Sequence, residues 1–228
     1  MSIFNSVNLP CPACETPVPF ELVASVSADR RPDLRDAILD GSFQREACPS
    51  CGSTFRVDPE FTYLDIARGQ YIAVWPVAKR DQWQACVERS QASFDNAFGK
   101  GATRTAAEIG KKVDPRVVFG WPALLEKLLA QQAGIDDRTL EVAKVAVLSN
   151  ESDLPLPGQR ELRLVGEREG DLLLAWVRTD GEQRSDALLV PRAVIGEIEA
   201  DPASWQGVRD DLAEGGLVVD FQREMLVT

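Results

Sequence analysis

The sequence contains no histidine among its 228 residues. Histidine is the usual base of nucleophilic triads and a frequent ligand of catalytic metals. Its absence excludes a Ser-His-Asp triad, a Cys-His dyad, a His-ligated zinc hydrolase and a facial-triad iron site built from this chain alone. Carboxylate enzymes are not excluded, but the acidic pairs Asp136-Asp137 and Asp210-Asp211 fit helix caps or solvated faces better. A non-catalytic protein is therefore favoured.

Three further signals are missing. No uninterrupted apolar run approaches the roughly 18 residues of a transmembrane helix. The opening MSIFNSVNLP has no basic n-region and no apolar h-region, so we expect no secretory signal. Gly99-Lys100-Gly101 lacks the upstream glycine and the following Ser/Thr of a phosphate-binding loop. With reduced cysteines, the expected location is the cytoplasm.

Positive charge is scarce and unevenly placed. The net charge is −11, divided as −4 over residues 1–78, +2 over 79–150 and −9 over 151–228, and all lysines lie in the middle segment. Phosphate binding needs a concentrated positive field. Nucleic acid is therefore not expected as the main partner, although Lys111, Lys112 and Arg116 form a weak candidate basic patch.

Two near-identical tetrapeptides stand out, Cys11-Pro-Ala-Cys14 and Cys48-Pro-Ser-Cys51. Cys-x-x-Cys places two sulfurs on one tight turn, and two such knuckles facing each other form a tetrahedral four-thiolate zinc site. Proline after the first cysteine restricts φ and favours the turn. We therefore predict one structural zinc ion bound by Cys11, Cys14, Cys48 and Cys51.

Other interpretations of the motifs are open. A thiol oxidoreductase would need a helix directly after the motif, and none is indicated here. Disulfides within Cys-x-x-Cys are strained, and four cysteines alone do not exclude an iron–sulfur centre. The fifth cysteine, Cys86, lies in an amphipathic pattern over residues 80–98 and is expected to be a buried apolar residue rather than a reactive thiol.

The spacing of the knuckles predicts an elaborated zinc ribbon. Between Cys14 and Cys48 lie 33 residues, more than the usual roughly 15–20. The insertion contains a predicted strand at Glu21–Val26 and a short helix that begins near Pro32 and ends at Gly41. Strands are predicted across residues 53–76, with a hairpin turn at Arg68–Gln70.

The N-terminal half resembles the CpXC family, named for its two Cys-Pro-x-Cys motifs. The similarity covers the first knuckle, the helix DLRDAILDG at residues 33–41 and CPSCG at 48–52 with Phe55, and it continues to about Pro76. The stretches VVFG at 117–120 and GIDDRTLE at 134–141 are similar to longer members. The resemblance supports the four cysteines as a site and implies no reaction.

The predicted fold class is α+β, in three parts: a zinc-ribbon-like β domain with a helical insertion (1–78), a helical segment with a central hairpin (79–150) and an acidic α+β module (151–228). The hairpin consists of a helix from Trp121 with a leucine face, and a second helix capped by Asp136 or Asp137. A linker is predicted over residues 149–158. Strands near 161–165, 171–177, 186–190 and 217–221 follow, with a helix over 192–213 interrupted near Asp201-Pro202.

We conclude from the sequence that the chain is a structural-zinc protein acting as an adaptor or protein-interaction module, with an unidentified protein partner and no membrane. A nucleic-acid-binding ribbon and a thiol redox or metal-transfer protein are the alternatives. The oligomeric state does not follow from the sequence.

Overall fold

The computed structural model describes residues 2–150, 160–178 and 182–223, apart from the side chain of Asn150. This part of the chain is α+β, with seven α-helices and three sheets. Two compact units are present, one formed by Met1–Pro76 with Ser90–Pro115 and the other by Val77–Arg89 with Arg116–Thr228. Among the described residues, no helix combines the length and apolarity needed to cross a bilayer.

The first unit is built on a mixed sheet in the order β1-β2-β5-β6-β7, with a separate two-stranded hairpin formed by β3 and β4. The pairing of β2 with β5 is parallel, whereas β1–β2, β3–β4 and β5–β6 are antiparallel. The strands are β1 (Ile3–Pro10), β2 (Pro17–Ser27), β3 (Arg45–Ala47), β4 (Thr54–Arg56), β5 (Phe61–Asp65), β6 (Gln70–Trp75) and β7 (Asp114–Phe119).

The predicted helix of the insertion is confirmed as α1 (Pro32–Asp40). Proline occupies its first turn, and Gly41 ends it with φ of 80°, a left-handed conformation that glycine adopts without strain. Leu34 and Ile38 are buried on one face. The helix therefore packs into the core of the unit from its position between β2 and β3.

Two further helices contribute to this unit, α2 (Trp83–Phe98), which begins in the second unit, and α3 (Arg104–Gly110), whose first turn is capped by the hydroxyl of Thr103. The ring of Tyr71 on β6 contacts Phe94 and Phe98 edge-on, with centroids 5.0 and 5.9 Å apart. These contacts attach the second half of α2 to the sheet.

In the second unit, a helical hairpin and a three-stranded antiparallel sheet, in the order β10-β9-β8, share one apolar core. The predicted hairpin is confirmed, and Asp136 caps its second helix through the N–H of Thr139 at 2.9 Å. The elements are α4 (Gly120–Gln132), α5 (Asp137–Asn150), β8 (Arg160–Arg168), β9 (Asp171–Arg178), β10 (Arg184–Val190), α6 (Ala193–Ala200) and α7 (Gln206–Glu214), with 3₁₀ turns at Val77–Gln82 and Ala203–Trp205.

The strand predicted over residues 217–221 is wrong. These residues form turns and irregular backbone, although Val218 and Val219 are buried. The segment lies beside β8 but bonds to it through a side chain: the Gln222 amide accepts from the N–H of Leu162 at 3.0 Å and donates to its carbonyl at 3.3 Å. The apolar run therefore reflects burial, and a glutamine amide replaces the peptide group that a strand would supply.

The remaining sequence predictions have mixed outcomes. The interruption of the C-terminal helix near Asp201-Pro202 is confirmed by the break between α6 and α7. Ser149 and Asn150 of the predicted linker belong to α5, whereas residues 151–158 lie outside the described residues. The division into domains 1–78, 79–150 and 151–228 stays a prediction.

The second unit contains a cluster of seven charged side chains that was not predicted from the sequence, six of them buried and one, Asp220, partly buried. Lys144 donates to Glu126 and to Glu141 at 2.7 Å each, and Arg163 donates to Glu126 at 2.9 Å. All four are at most 1% exposed. The cluster, which we call the charged core, consists of Arg80, Glu126, Glu141, Lys144, Glu161, Arg163 and Asp220.

Four carboxylates of the charged core share its three cations, and the charge of the buried Lys127 also acts on Glu126 and Glu141. Burial raises the pKa of Glu141 to about 7, with Glu126 and Asp220 adding to the rise against the opposing effect of Lys144. Burial opposes ionisation of Glu126 too, but Lys144 and Arg163 outweigh it and hold the pKa of Glu126 below its ordinary value. Glu141 is therefore the member that titrates near neutrality.

We expect Arg163→Leu to reduce the free energy of unfolding by about 3–5 kcal/mol, because it leaves buried carboxylates without their partner. Urea denaturation of the variant and the wild type measures the difference. Glu167→Gln is the matched control, since Glu167 forms an exposed ion pair with Arg192 in the same unit and should cost no more than about 1 kcal/mol. Equal effects of the two substitutions would contradict a stabilising role for the charged core.

A pH dependence follows from the same cluster. Because folding raises the pKa of Glu141 from 4.5 to about 7, its contribution to the free energy of unfolding falls as the pH rises through that window. Despite the cost of burial, Lys127 and Arg116 lower the pKa of Asp137, so its stabilising contribution is lost only in acid. We expect Glu141→Gln to flatten the decline between pH 4.5 and 7 in thermal unfolding; an unchanged decline would show that another group is responsible.

Candidate metal centre

The first knuckle lies at the closed end of the β1–β2 hairpin, directly after the pair Pro10–Pro17. The N–H of Cys11 donates to the carbonyl of Thr16 at 2.9 Å, and the N–H of Glu15 donates to the carbonyl of Cys11 at 2.9 Å. These bonds fold the Cys-Pro-x-Cys segment into a tight turn. The β-ladder thereby positions the first two sulfurs.

The second knuckle repeats this arrangement on the β3–β4 hairpin. The N–H of Cys48 donates to the carbonyl of Ser53, and the N–H of Gly52 donates to the carbonyl of Cys48, both at 2.9 Å. The residue after the second cysteine is left-handed in each knuckle, with φ of 60° at Glu15 and 73° at Gly52. The two turns therefore share one backbone geometry, and only one of them has the glycine that this geometry favours.

The four sulfur atoms converge. All of them lie within 4.8 Å of one another, with Cys11 and Cys51 separated by 3.7 Å and Cys14 and Cys48 by 3.6 Å. None of the four is in a disulfide. Cys11 and Cys48 are buried against Val18 and Phe55, whereas Cys14 and Cys51 are exposed. The cluster thus has one side facing the protein and one facing solvent.

Hydrogen bonds and neighbouring sulfurs make the thiols unequal. The hydroxyl and backbone of Thr16 lower the pKa of Cys14 to about 6. A backbone bond from Ser53 lowers the pKa of Cys51 as well, but the adjacent Cys14, burial and the remaining thiols raise it to about 12. A cation bound at the cluster would favour ionisation of Cys51.

The donor set fits a thiophilic divalent metal ion. Four sulfurs within mutual contact can each supply one ligand, and soft thiolates prefer ions such as zinc to hard cations. The N–H of Ala13 points to the sulfur of Cys11 at 3.4 Å, an interaction that stabilises a thiolate. The structure shows that these residues could hold a metal ion, and the identity of the ion belongs to the proposal below.

Other candidate residues lie away from this cluster. Cys86 is 3% exposed on α2 and belongs to the second unit, which confirms the prediction of a buried residue. The candidate basic patch is incomplete, because Arg116 is buried and paired with Asp137 at 2.7 Å. Lys111 pairs with Glu108 at 2.8 Å.

Beside each knuckle lies a residue whose bond to the exposed cysteine was not predicted from the sequence. Thr16 and Ser53 stand two residues after Cys14 and Cys51; the Cys14 thiol donates to the Thr16 hydroxyl at 3.3 Å, and the backbone of Ser53 bonds to Cys51. The repeated order Cys-x-Ser/Thr in both halves is a signal that could have revealed them. These residues position and polarise the exposed sulfurs.

Comparison with known proteins supports a relationship over much of the chain. The family model described as CpXC protein matches residues 9–144, which is more than half of the chain and includes all four clustered cysteines. No curated protein matches, and no solved structure matches. The matched region ends within α5, so β8, β9 and β10 lie beyond it.

Substitutions at the two left-handed residues should change the free energy of unfolding in opposite directions. Glu15→Gly should raise the free energy of unfolding by about 1 kcal/mol, because it relieves a strained left-handed backbone. Gly52→Ala should lower it by a similar amount, since no neighbouring atom lies within 4 Å of an added Cβ and the effect is confined to the backbone. Chemical denaturation of both variants measures the changes, and effects of the same sign would contradict the shared turn geometry.

Proposed function

This chain belongs to the CpXC family, and from that premise we propose that it is a non-catalytic structural-zinc protein acting as an adaptor or protein-interaction module. The observation that carries the proposal is the convergence of four cysteine sulfurs from two separate hairpins within 4.8 Å. A zinc ribbon is the arrangement that this convergence supports, with one knuckle on β1–β2 and one on β3–β4.

We propose zinc over redox-active thiols because four clustered sulfurs complete a closed metal site, and zinc over iron because zinc is the usual ion of structural four-cysteine sites. Cys11, Cys14, Cys48 and Cys51 would complete a tetrahedral zinc site and leave no coordination position for water or substrate. A closed site of this kind contributes to folding, because the ligands are brought together only in the folded chain. The ion would then join two hairpins that are far apart in sequence.

An interaction role is supported by the exposed acidic surface of the second unit. Its last two helices, α6 and α7, carry exposed carboxylates, while the one basic residue within them, Arg209, is partly buried. Such a surface suits recognition of a basic protein partner. The exposed acidic residues are Glu197, Glu199, Asp210, Asp211 and Glu214.

One observation favours a second candidate, thiol redox or metal transfer. Cys14 and Cys51 are exposed, so the solvent-facing half of the cluster is open to alkylating agents and to other metal-binding molecules. Alkylation of the zinc-loaded protein separates the candidates. Slow modification of all four cysteines supports a structural site, whereas rapid modification of one cysteine supports thiol chemistry.

Cys11→Ser should remove the bound metal and unfold the first unit, because metal binding there is also folding free energy. Elemental analysis and circular dichroism measure these effects, and we expect close to one zinc per wild-type chain. Cys86→Ser is the matched control, since Cys86 is buried in the second unit and should leave the zinc content unchanged.

Loss of zinc from both variants, or retention in both, would contradict the assignment of the four ligands. Iron in place of zinc in the freshly purified wild type would replace the proposed ion but keep the site.

The adaptor role is tested with the full-length chain purified from its native host. Retention of a stable protein partner by the wild type, and its loss from Cys11→Ser, would support an interaction that depends on the metal centre. Titration with labelled DNA and RNA at low salt completes the comparison, because tight binding that weakens steeply with salt would favour the nucleic-acid alternative.

A further inference from the structure

Among the described residues, β1 is an edge strand that pairs with β2 alone, so the backbone groups on its outer edge have no strand partner there. The hydrogen bond from Cys11 to Thr16 fixes the phase of the antiparallel β1–β2 ladder, in which alternate residues bond across the pair. Val7 and Leu9 therefore point their N–H and C=O groups toward β2, and Ser6 and Asn8 point theirs away. Bonds on the other side of β2 agree with this assignment. The N–H of Val23 donates to the side chain of Gln44, and the carbonyl of Glu21 accepts from it, so both groups point away from β1.

Other strand edges of the described chain are protected. The far side of β2 has Pro17 and Pro19, which lack N–H donors, and the Gln44 amide covers its continuation. The edge of β8 is occupied by Gln222 and by Glu126, which accepts from the N–H of Leu164 at 2.7 Å. Each device blocks the addition of another strand.

The edge of β10 is blocked differently. Its ladder is interrupted between Ser185 and Leu188, with Asp186 left-handed at φ of 48°, and the strand carries the charges of Arg184 and Asp186. Strands β3 and β4 are three residues long and also charged. Bulges, charge and short length are the usual protections of exposed edges.

β1 has such features only at its two ends, a register irregularity between Ile3 and Phe4 and a proline at Pro10, and none between Phe4 and Leu9. The segment from Ile3 to Leu9 contains no charged residue and no proline, and Pro10 ends it. Ser6 and Asn8 are exposed, and Ile3 is 53% exposed. Within the described residues, the edges of β2, β8 and β10 are guarded, whereas this one is open to pairing.

We propose that the edge of β1 binds an extended segment of a protein partner as an added strand, and that the segment alternates apolar and basic residues. This inference rests on the proposed interaction function and adds a surface on the first unit to the acidic surface of α6 and α7. Backbone groups of Ser6 and Asn8 supply the hydrogen bonds, and the side-chain faces of β1 set the alternation.

Charge complementarity favours a basic segment. Glu21 lies opposite Ser6 on β2, on the same exposed face, and Ser6 is small enough for a lysine or arginine of the added strand to reach over it. On the other face, Val7 and Leu9 are half-buried beside the buried Phe20 and Val18, so an apolar residue is favoured there. The required partner strand is therefore apolar on one face and positive on the other.

A second copy of the chain fits less well. Each copy carries a net charge of −11, so two copies repel. Pairing two eight-residue strands edge to edge also provides much less than the roughly 1,200 Å² of buried surface that stable protein interfaces usually have. A peptide needs no comparable area, because backbone hydrogen bonds provide most of its affinity.

The test uses the zinc-loaded full-length chain and the labelled synthetic peptide KVKVKVK, with KKKKVVV as a control of identical composition. Fluorescence anisotropy measures binding, and amide exchange by NMR reports on individual residues. We expect rapid exchange at Ser6 and Asn8 in the free chain, slow exchange at Val7 and Leu9, and protection of Ser6 and Asn8 when KVKVKVK binds. The control peptide should bind at least about tenfold more weakly.

Ser6→Pro and Ser6→Ala form a matched pair of variants. Both remove the hydroxyl that contacts Glu21, but the proline alone removes the outward N–H without breaking the bonds to β2. Ser6→Pro should weaken binding of KVKVKVK about tenfold, as expected for a lost hydrogen bond and a clash at the edge, whereas Ser6→Ala should bind as the wild type does.

Equal binding of the two peptides, or equal binding by Ser6→Pro and Ser6→Ala, would overturn the inference. Protection of Ser6 and Asn8 in the free chain together with a dimeric mass would overturn it in favour of a second copy. A chain that keeps its zinc and its host partner but binds no peptide also overturns the inference and leaves the proposed function standing. Absence of zinc and of a host partner overturns the proposed function itself.

Discussion

Electrostatic repulsion among four adjacent sulfurs is the constraint on which the first unit depends. The turns of β1–β2 and β3–β4 bring the sulfurs within 4.8 Å, where the neighbouring thiols raise the pKa of Cys51. A dication would remove that repulsion and convert the cluster into a link between two hairpins. The strand β2 and the helix α1 occupy the chain between the knuckles, and β2 pairs with β5, which follows the second knuckle. The long insertion therefore forms part of the unit's core instead of a loop.

The second unit meets a different electrostatic demand. The hairpin α4–α5 supplies apolar residues to a core shared with the sheet, yet the same two helices bury Glu126, Glu141 and Lys144 completely. The C-terminal segment completes this charged core through Asp220, and the N–H of Phe221 donates to Glu141 at 3.2 Å. A buried charge needs a specific partner. The ion pair of Asp220 therefore fixes the position of the segment after α7, although this segment forms no strand.

The proposed binding role follows from which strand edges are protected and which are not. The edges of β2, β8 and β10 are closed by side-chain amides, prolines, a bulge and charged residues. Each of these features prevents another strand from pairing there. β1 lacks such features between Phe4 and Leu9, and it ends directly before the first cysteine. The metal centre would therefore hold in place the hairpin whose free edge is proposed to bind a partner.

The sequence by itself determined much of the local structure. Paired Cys-Pro-x-Cys motifs identified the clustered residues, and proline and glycine positions predicted α1, because these signals act over a few neighbouring residues. Tertiary structure alone decided the burial of Lys144 and Glu126, which look like solvated helix residues until their partners on β8 and after α7 are known. It also decided that residues 217–221 form no strand. At the edge of β8, the side-chain amide of Gln222 bonds to the backbone of Leu162, where a neighbouring strand would otherwise bond. Local propensity is encoded by neighbouring residues, whereas charge pairing and edge occupancy depend on segments far apart in the chain.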